Sequence, residues 1–228
     1  MNMTQAVQPP LAQRNLRQRD IVPPEKLATC NITIIGVGAI GRQVALQLAA
    51  MGAPLLQLFD FDTVEEVNLG AQGYFPSDLG MEKVHATADL VNQINPEVKV
   101  TPVAERFRRS TRDVGDVIFC CVDSIETRKL IWESVGQGAK FFCDGRMSAE
   151  TMRIITVTDH ASRKHYPTTL FAASEASAGA CTAKSTIYCA NIAAGMMIAG
   201  FTQWLRGIPV NVDVSFNLLA MEAAVHPL

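Results

Sequence analysis

The stretch from Asn31 to Asp62, NITIIGVGAIGRQVALQLAAMGAPLLQLFDFD, decides the fold. Ile32–Ile35 reads as a short buried strand, and Gly36-Val37-Gly38-Ala39-Ile40-Gly41 reads as the tight turn after it. Gln43–Met51 comes next as a helix packed back on the sheet, and Leu55–Phe59 as a second strand that ends in Asp60 and Asp62. Gly36 permits the turn, Gly38 lets the backbone approach a phosphate, and Gly41 lets helix and strand pack without an intervening side chain. A phosphate would sit on the helix N-terminus, where free N–H groups and the dipole favour an anion. Asp60, about 20 residues past the turn, is then in reach of a ribose hydroxyl. The competing explanation is that the glycines merely make a tight turn. Strand, turn, helix, strand and acid in the required order favour a nucleotide site.

Around this unit the composition describes one globular domain. The chain has 228 residues, of which 48% are hydrophobic and 18% charged, enough for a large core. A net charge of −2 gives no electrostatic reason to expect nucleic acid or an anionic membrane as partner. The short basic cluster Arg106-Phe107-Arg108-Arg109 reads as a solvated face. Six cysteines, Cys30, Cys120, Cys121, Cys143, Cys181 and Cys189, show no C-x-x-C spacing. Together with the lack of a charged-then-apolar leader, this points to a reducing cytoplasm.

Outward from the glycine turn, residues 1–22 read as an N-terminal arm, with a short helix over Asn15–Val22, and 23–228 as the domain itself. Phe61–Gly80 reads as a long irregular segment of the kind that carries function. Glu82–Ile94 is an amphipathic helix stopped by Asn95-Pro96, and Val98–Val103 a third strand. Asp116–Val122, DVIFCCV, has the continuous apolar character of a strand buried on both faces. Ile125–Gly136 is a helix, and Lys140–Cys143 and Met152–Thr158 are strands. The alternation predicts an α/β fold, a Rossmann-like doubly wound and mostly parallel sheet with helices on both faces. Pro209–Phe216 is expected as an antiparallel strand at the C-terminal edge. Ser185–Leu205 carries no charge and is long enough to raise a membrane span. Its Asn191, Gln203 and many small residues favour a buried or subunit-contacting helix instead.

The residues beyond the glycines narrow the chemistry. FDFDTVEEVNLGAQGYF, then Lys83 one turn into a helix, then Val122-Asp123-Ser124 after a buried strand, resembles the ubiquitin-activating-enzyme-like family with its bacterial ThiF/MoeB-type adenylyltransferases. The family pattern is a glycine turn, D-x-D-x-V…N-L-x-R-Q, a lysine about 15 residues on, and a strand ending in aspartate, which residues 14–160 match in order. The resemblance implies ATP with Mg²⁺ as cofactors and a ubiquitin-like or sulfur-carrier protein as partner, its C-terminal glycine being adenylated. It makes Asp60 the ribose acid, Asn68 and Lys83 triphosphate contacts, and Asp123 the Mg²⁺ ligand. Asp62 either caps or binds. A homodimer is implied as well, with Arg17 reaching the partner subunit's site, although Arg14 and Arg19 compete for that role. Asp123 also makes sense alone, because it stands at the carboxyl end of a central strand, where open α/β sheets bind ligands.

Two departures qualify the likeness. Where the family reads N-L-x-R-Q the chain reads Asn68-Leu69-Gly70-Ala71-Gln72, so the arginine contact is either absent or supplied from elsewhere, with Arg128 and Arg146 as candidates. The paired C-x-x-C motifs of zinc-bearing relatives are missing, so no structural zinc is expected. Cys181-Thr182, ahead of the long helix, invites comparison with a thioester-forming nucleophile, against the plain alternative of a packed cysteine. Two other function classes compete. An NAD-dependent oxidoreductase would use Gly36, Gly38, Gly41 and Asp60 but leaves Asn68, Lys83 and Asp123 unexplained. A non-catalytic half of a heterodimeric activating enzyme would explain Ala71.

Overall fold

The computed structural model describes residues 14–171 and 185–227. Its centre is β1 (Ile32–Ile35), buried at every position, and flanked in parallel by β2 (Leu55–Phe59) and β4 (Val117–Cys120). β3 (Lys99–Val103) extends the parallel sheet beyond β2, and β5 (Phe141–Ser148) extends it beyond β4. β6 (Thr151–Val157), β7 (Asp213–Asn217) and β8 (Glu222–Val225) then add antiparallel strands. The eight strands run in the order β3-β2-β1-β4-β5-β6-β7-β8. The sequence expectation of a mostly parallel, doubly wound sheet with antiparallel C-terminal strands therefore matches.

The period of two along each strand sorts its side chains into two cores. Ile32, Ile34, Val117, Phe119 and Phe141 face α2 (Ala39–Met51), α4 (Lys83–Ile94) and α7 (Ile187–Arg206). Ile35, Ile118, Cys120 and Phe142 face α5 (Ile125–Ser134) and Tyr166. α7, without a charge until its last residue Arg206, lies on the sheet, burying Cys189, Ala190, Ala193, Ala194, Met197 and Phe201. Its alanines let the backbone come close, and Phe201 packs on Phe119 and Phe141 with ring centroids 5.6 and 5.3 Å apart. Burying a ring of that size contributes about 2–3 kcal/mol. Among the described residues no helix is long and apolar enough to cross a membrane.

Several boundaries differ from the sequence reading, each for a local reason. α2 begins at Ala39 instead of Gln43, because Gly38 is its N-cap and Gly41 is already helical. The expected irregular segment contains α3 (Glu66–Gln72), which buries none of its residues and so shows no apolar period. It is fixed by a capping box between Glu65 and Asn68. β8 is exposed throughout and gives no alternation to read. Residues 14–20 form turns, and the first helix is α1 (Pro24–Leu27), where Pro24 supplies the N-terminal φ. A further short helix, α6 (His160–His165), is capped by Asp159.

Candidate active site

After β1 the chain crosses to β2 on one side and, later, to β4 on the other, so the ends of β1 and β4 form the topological switch point. The glycine turn fills it. Gly36 has φ +87°, and a Cβ there would lie 2.8 Å from the carbonyl oxygen of Cys121, at the end of β4. A Cβ on Gly41 would lie 1.8 Å from the Gly36 carbonyl oxygen, so turn and helix meet only because both are glycine. Gly38 is different. Its missing Cβ would have Gln72 Oε1 as nearest neighbour at 3.7 Å, and no side chain caps α2. The amides of the first turn are therefore uncapped toward an incoming anion.

Asp60 sits just past β2 and holds this turn. Its Oδ2 accepts the Val37 N–H at 2.8 Å, and its Oδ1 accepts the Asp62 N–H at 3.0 Å. Burial raises the Asp60 pKa above the ordinary carboxylate value, against the pull of those two bonds. Lys83 opens α4 as a buried residue and pairs with Asp62, Nζ to Oδ2 at 3.1 Å. Asp60, Asp62 and Lys83 are thus brought together beside the turn. Tyr74, which sequence reasoning missed, ties the same pieces from below. Its buried hydroxyl donates to Val37 O at 2.6 Å and lies 3.2 Å from Thr87 Oγ1 of α4.

Asn68 is on α3, with its Oδ1 accepting the Glu65 N–H at 2.9 Å, so its oxygen caps the helix and its amide donors remain for other use. Asp123 stands exposed beyond β4, two residues after Cys121, whose N–H donates to Ile35 O at 2.8 Å. The main chain beneath it is fixed by Arg128, which bonds Val122 O and pairs with buried Asp144. Arg146 Nε bonds Asp144 Oδ2 at 2.8 Å and its Nη1 bonds Thr169 O at 2.7 Å. Tyr166 completes the cluster with a 2.9 Å bond to Asp144 Oδ2. Both arginines are committed to Asp144 and main-chain oxygens, so neither fills the gap at Ala71.

Arg17 lies elsewhere. Its turn packs on the far ends of α2 and α4, where Gln18 Nε2 donates to Ala50 O of α2 at 3.4 Å and Arg14 bonds Ile94 O of α4. A helix of 13 residues spans about 20 Å, so exposed Arg17 is remote from its own glycine turn. Cys181 lies outside the described residues.

The sequence profile of the ThiF family matches residues 12–224. The chain belongs to the ThiF family. Among its relatives is ubiquitin-like modifier-activating enzyme 5 of Culex quinquefasciatus, 33% identical over an alignment of 123 positions that covers 47% of this chain and 31% of that protein. The mouse protein of the same name is 32% identical over 123 residues, covering 47% and 30%. The matched part thus spans under a third of those relatives. The fold of this ThiF-family chain resembles that of E. coli MccB, solved with MccA, with TM-score 0.72, 15% identity, and coverage of 90% and 65%. PaaA gives TM-score 0.73 at 18% identity, covering 97% of this chain and 84% of the other.

Proposed function

We propose that this chain is an ATP-dependent adenylyltransferase acting on a carboxylate, the C-terminal glycine of a ubiquitin-like or sulfur-carrier protein, in a reducing cytoplasm. A carboxylate oxygen attacks the α-phosphorus, the bond to the β-phosphate oxygen breaks, and pyrophosphate leaves an acyl-adenylate behind. What carries this reading is the convergence of an uncapped helix N-terminus, Asp60, buried Lys83 and exposed Asp123 on one switch point. Phosphates fit the Gly38 amides, the ribose fits Asp60, and Lys83 neutralises charge as pyrophosphate departs. An oxidoreductase would need none of Lys83, Asp123 or the α3 segment. The names of the relatives, activating enzymes for ubiquitin-like modifiers, support the substrate class.

Mg²⁺ fits Asp123, since Mg²⁺ takes one or two carboxylates and completes its shell with phosphate oxygens. The ion would supply neutralising charge on the phosphates. Cys181 forms no thioester in this reading, and no structural zinc is included. The protein acts as a homodimer, each site receiving Arg17 from the partner, because Arg17 is too far from its own site to serve it.

The test is pyrophosphate exchange into ATP, with and without a small protein ending in Gly-Gly from a neighbouring reading frame. Exchange is expected only with the carrier, and Asp123→Ala is expected to abolish it while leaving the melting temperature unchanged. Near-normal exchange by Asp123→Ala would remove that residue from the metal site. Ala71 favours a second reading, the non-catalytic half of a heterodimer, for which ATP binds but carrier-dependent exchange never appears.

A further inference from the structure

The cation at the head of the phosphate helix has no ion-pair partner among the described residues, and Asp78 acts on it only from beyond contact distance. Arg42 is 0% exposed, and its backbone N–H bonds Gly38 O at 3.1 Å, one turn above the glycine turn. Its Nη2 donates to Gly73 O at 2.9 Å, and its guanidinium lies 4.1 Å over the ring of Tyr74, the residue that holds Val37. Its Nε and Nη1 find no acceptor among the described residues. Nor does any ion pair among those residues include it. The buried Oε1 of Gln72, next to Gly38, is likewise without a partner. Burying an unpaired charge is costly, and orphaned donors beside it add to the cost. Arginine stays protonated at such a site, so an anion is the natural remedy.

We propose that Arg42 is the phosphate-binding cation of this chain, swinging from the Tyr74 face to meet the β- and γ-phosphate oxygens over Gly38 and so filling the role that Ala71 leaves vacant. This rests on the adenylation reading. The distance suits it: one helical turn rises about 5.4 Å, a span that an extended arginine side chain covers. The swing exchanges orphaned N–H groups for charge-assisted bonds, which are the strong ones. Gln72 takes part by rotating its carboxamide so that the NH₂ group, not the oxygen, faces the phosphates. The contact is specific to the distal phosphates, so Arg42 favours ATP over AMP.

The experiment compares ATP and AMP affinities and the ligand-free melting temperature of the full chain with those of Arg42→Met. Loss of one charge-assisted contact should weaken ATP by roughly 10- to 100-fold. AMP affinity should stay near wild type, and the ligand-free melting temperature should hold or rise because an unpaired buried charge is gone. Adding Ala71→Arg to that variant should restore ATP affinity. A lower melting temperature with an unchanged ATP-to-AMP ratio would show that Arg42 only braces the fold, and would overturn the inference. If Arg42→Met does not fold, Arg42→Lys keeps a bond to Gly73 O without the planar fork. Its ATP-to-AMP preference should then fall severalfold, and an unchanged preference overturns the inference. A wild-type chain that binds neither nucleotide overturns the adenylation reading as well, whereas one that prefers ATP equally with and without Arg42 overturns this inference alone.

Discussion

A methyl group separates the tasks of the glycines at the phosphate turn. Gly41→Ala drives its Cβ to 1.8 Å from the Gly36 carbonyl oxygen, a backbone atom that cannot step aside. It is expected to cost about 1–3 kcal/mol or more in chemical denaturation, as overpacking does. Gly38→Ala meets nothing closer than 3.7 Å, so it makes no clash and should cost about 0.5–1 kcal/mol as an N-cap change. It should nevertheless weaken ATP binding, because the methyl stands where the phosphate must approach; wild-type ATP affinity in this variant would break the phosphate assignment. The placement of Asp60, Lys83 and Asp123 around the switch point was legible in the sequence because each stands at a fixed offset from the turn or from a strand end. Arg42, Gln72 and Tyr74 were not, since their roles arise where α2 packs on the chain after α3. One signal for Arg42 was present, a charge on the same helical face as buried Ala45 and Ala49, three and seven positions on.

Among the elements, the antiparallel extension is held by a charge cluster as well as by its ladder. Asp213, fully buried on β7, accepts Arg153 Nε at 2.8 Å and Nη2 at 2.6 Å from β6, and His165 Nε2 lies 2.7 Å from its Oδ2. Burial works against the Asp213 charge, but Arg153 and His165 outweigh it and hold the pKa below the ordinary carboxylate value. A carboxylate whose folded pKa is lowered stabilises the fold above its unfolded pKa and loses that contribution as pH falls through the folded value. Stability should therefore decline as pH drops below about 4, and Asp213→Asn should flatten that part of the profile while costing about 1–3 kcal/mol at neutral pH. Unfolding curves from pH 7 to pH 2 read both effects; an unaltered acid limb in Asp213→Asn would remove this cluster from the acid response. The strands with buried faces were legible because apolar runs and period-two patterns survive in sequence. α3 and β8 were not, having no buried face to write a pattern.

For the whole molecule, the proposed dimer accounts for two surfaces at once. α3 adjoins α7, and together they expose Val67 (75%), Tyr188 (47%) and Ile192 (37%), an apolar surface suited to an isologous contact. Arg17 stands exposed and remote from its own site. Arg17→Ala chains mixed with Asp123→Ala chains should regain exchange activity once subunits redistribute. Each heterodimer then holds one site with both lesions and one with neither, so up to about half of its sites work. No recovery despite proven subunit exchange would rule out Arg17 in trans. The sheet order and the glycine turn are shared by many nucleotide folds, so the central claim rests on which nucleotide the switch point selects. Thermal unfolding of the intact chain with Mg-ATP or with NAD decides it most directly. At 100 times the dissociation constant a ligand adds about 2.7 kcal/mol, which raises the melting temperature of a chain of this size by about 5–10 °C. A rise with Mg-ATP and none with NAD is the expected result, and a rise with NAD and none with Mg-ATP would contradict the account.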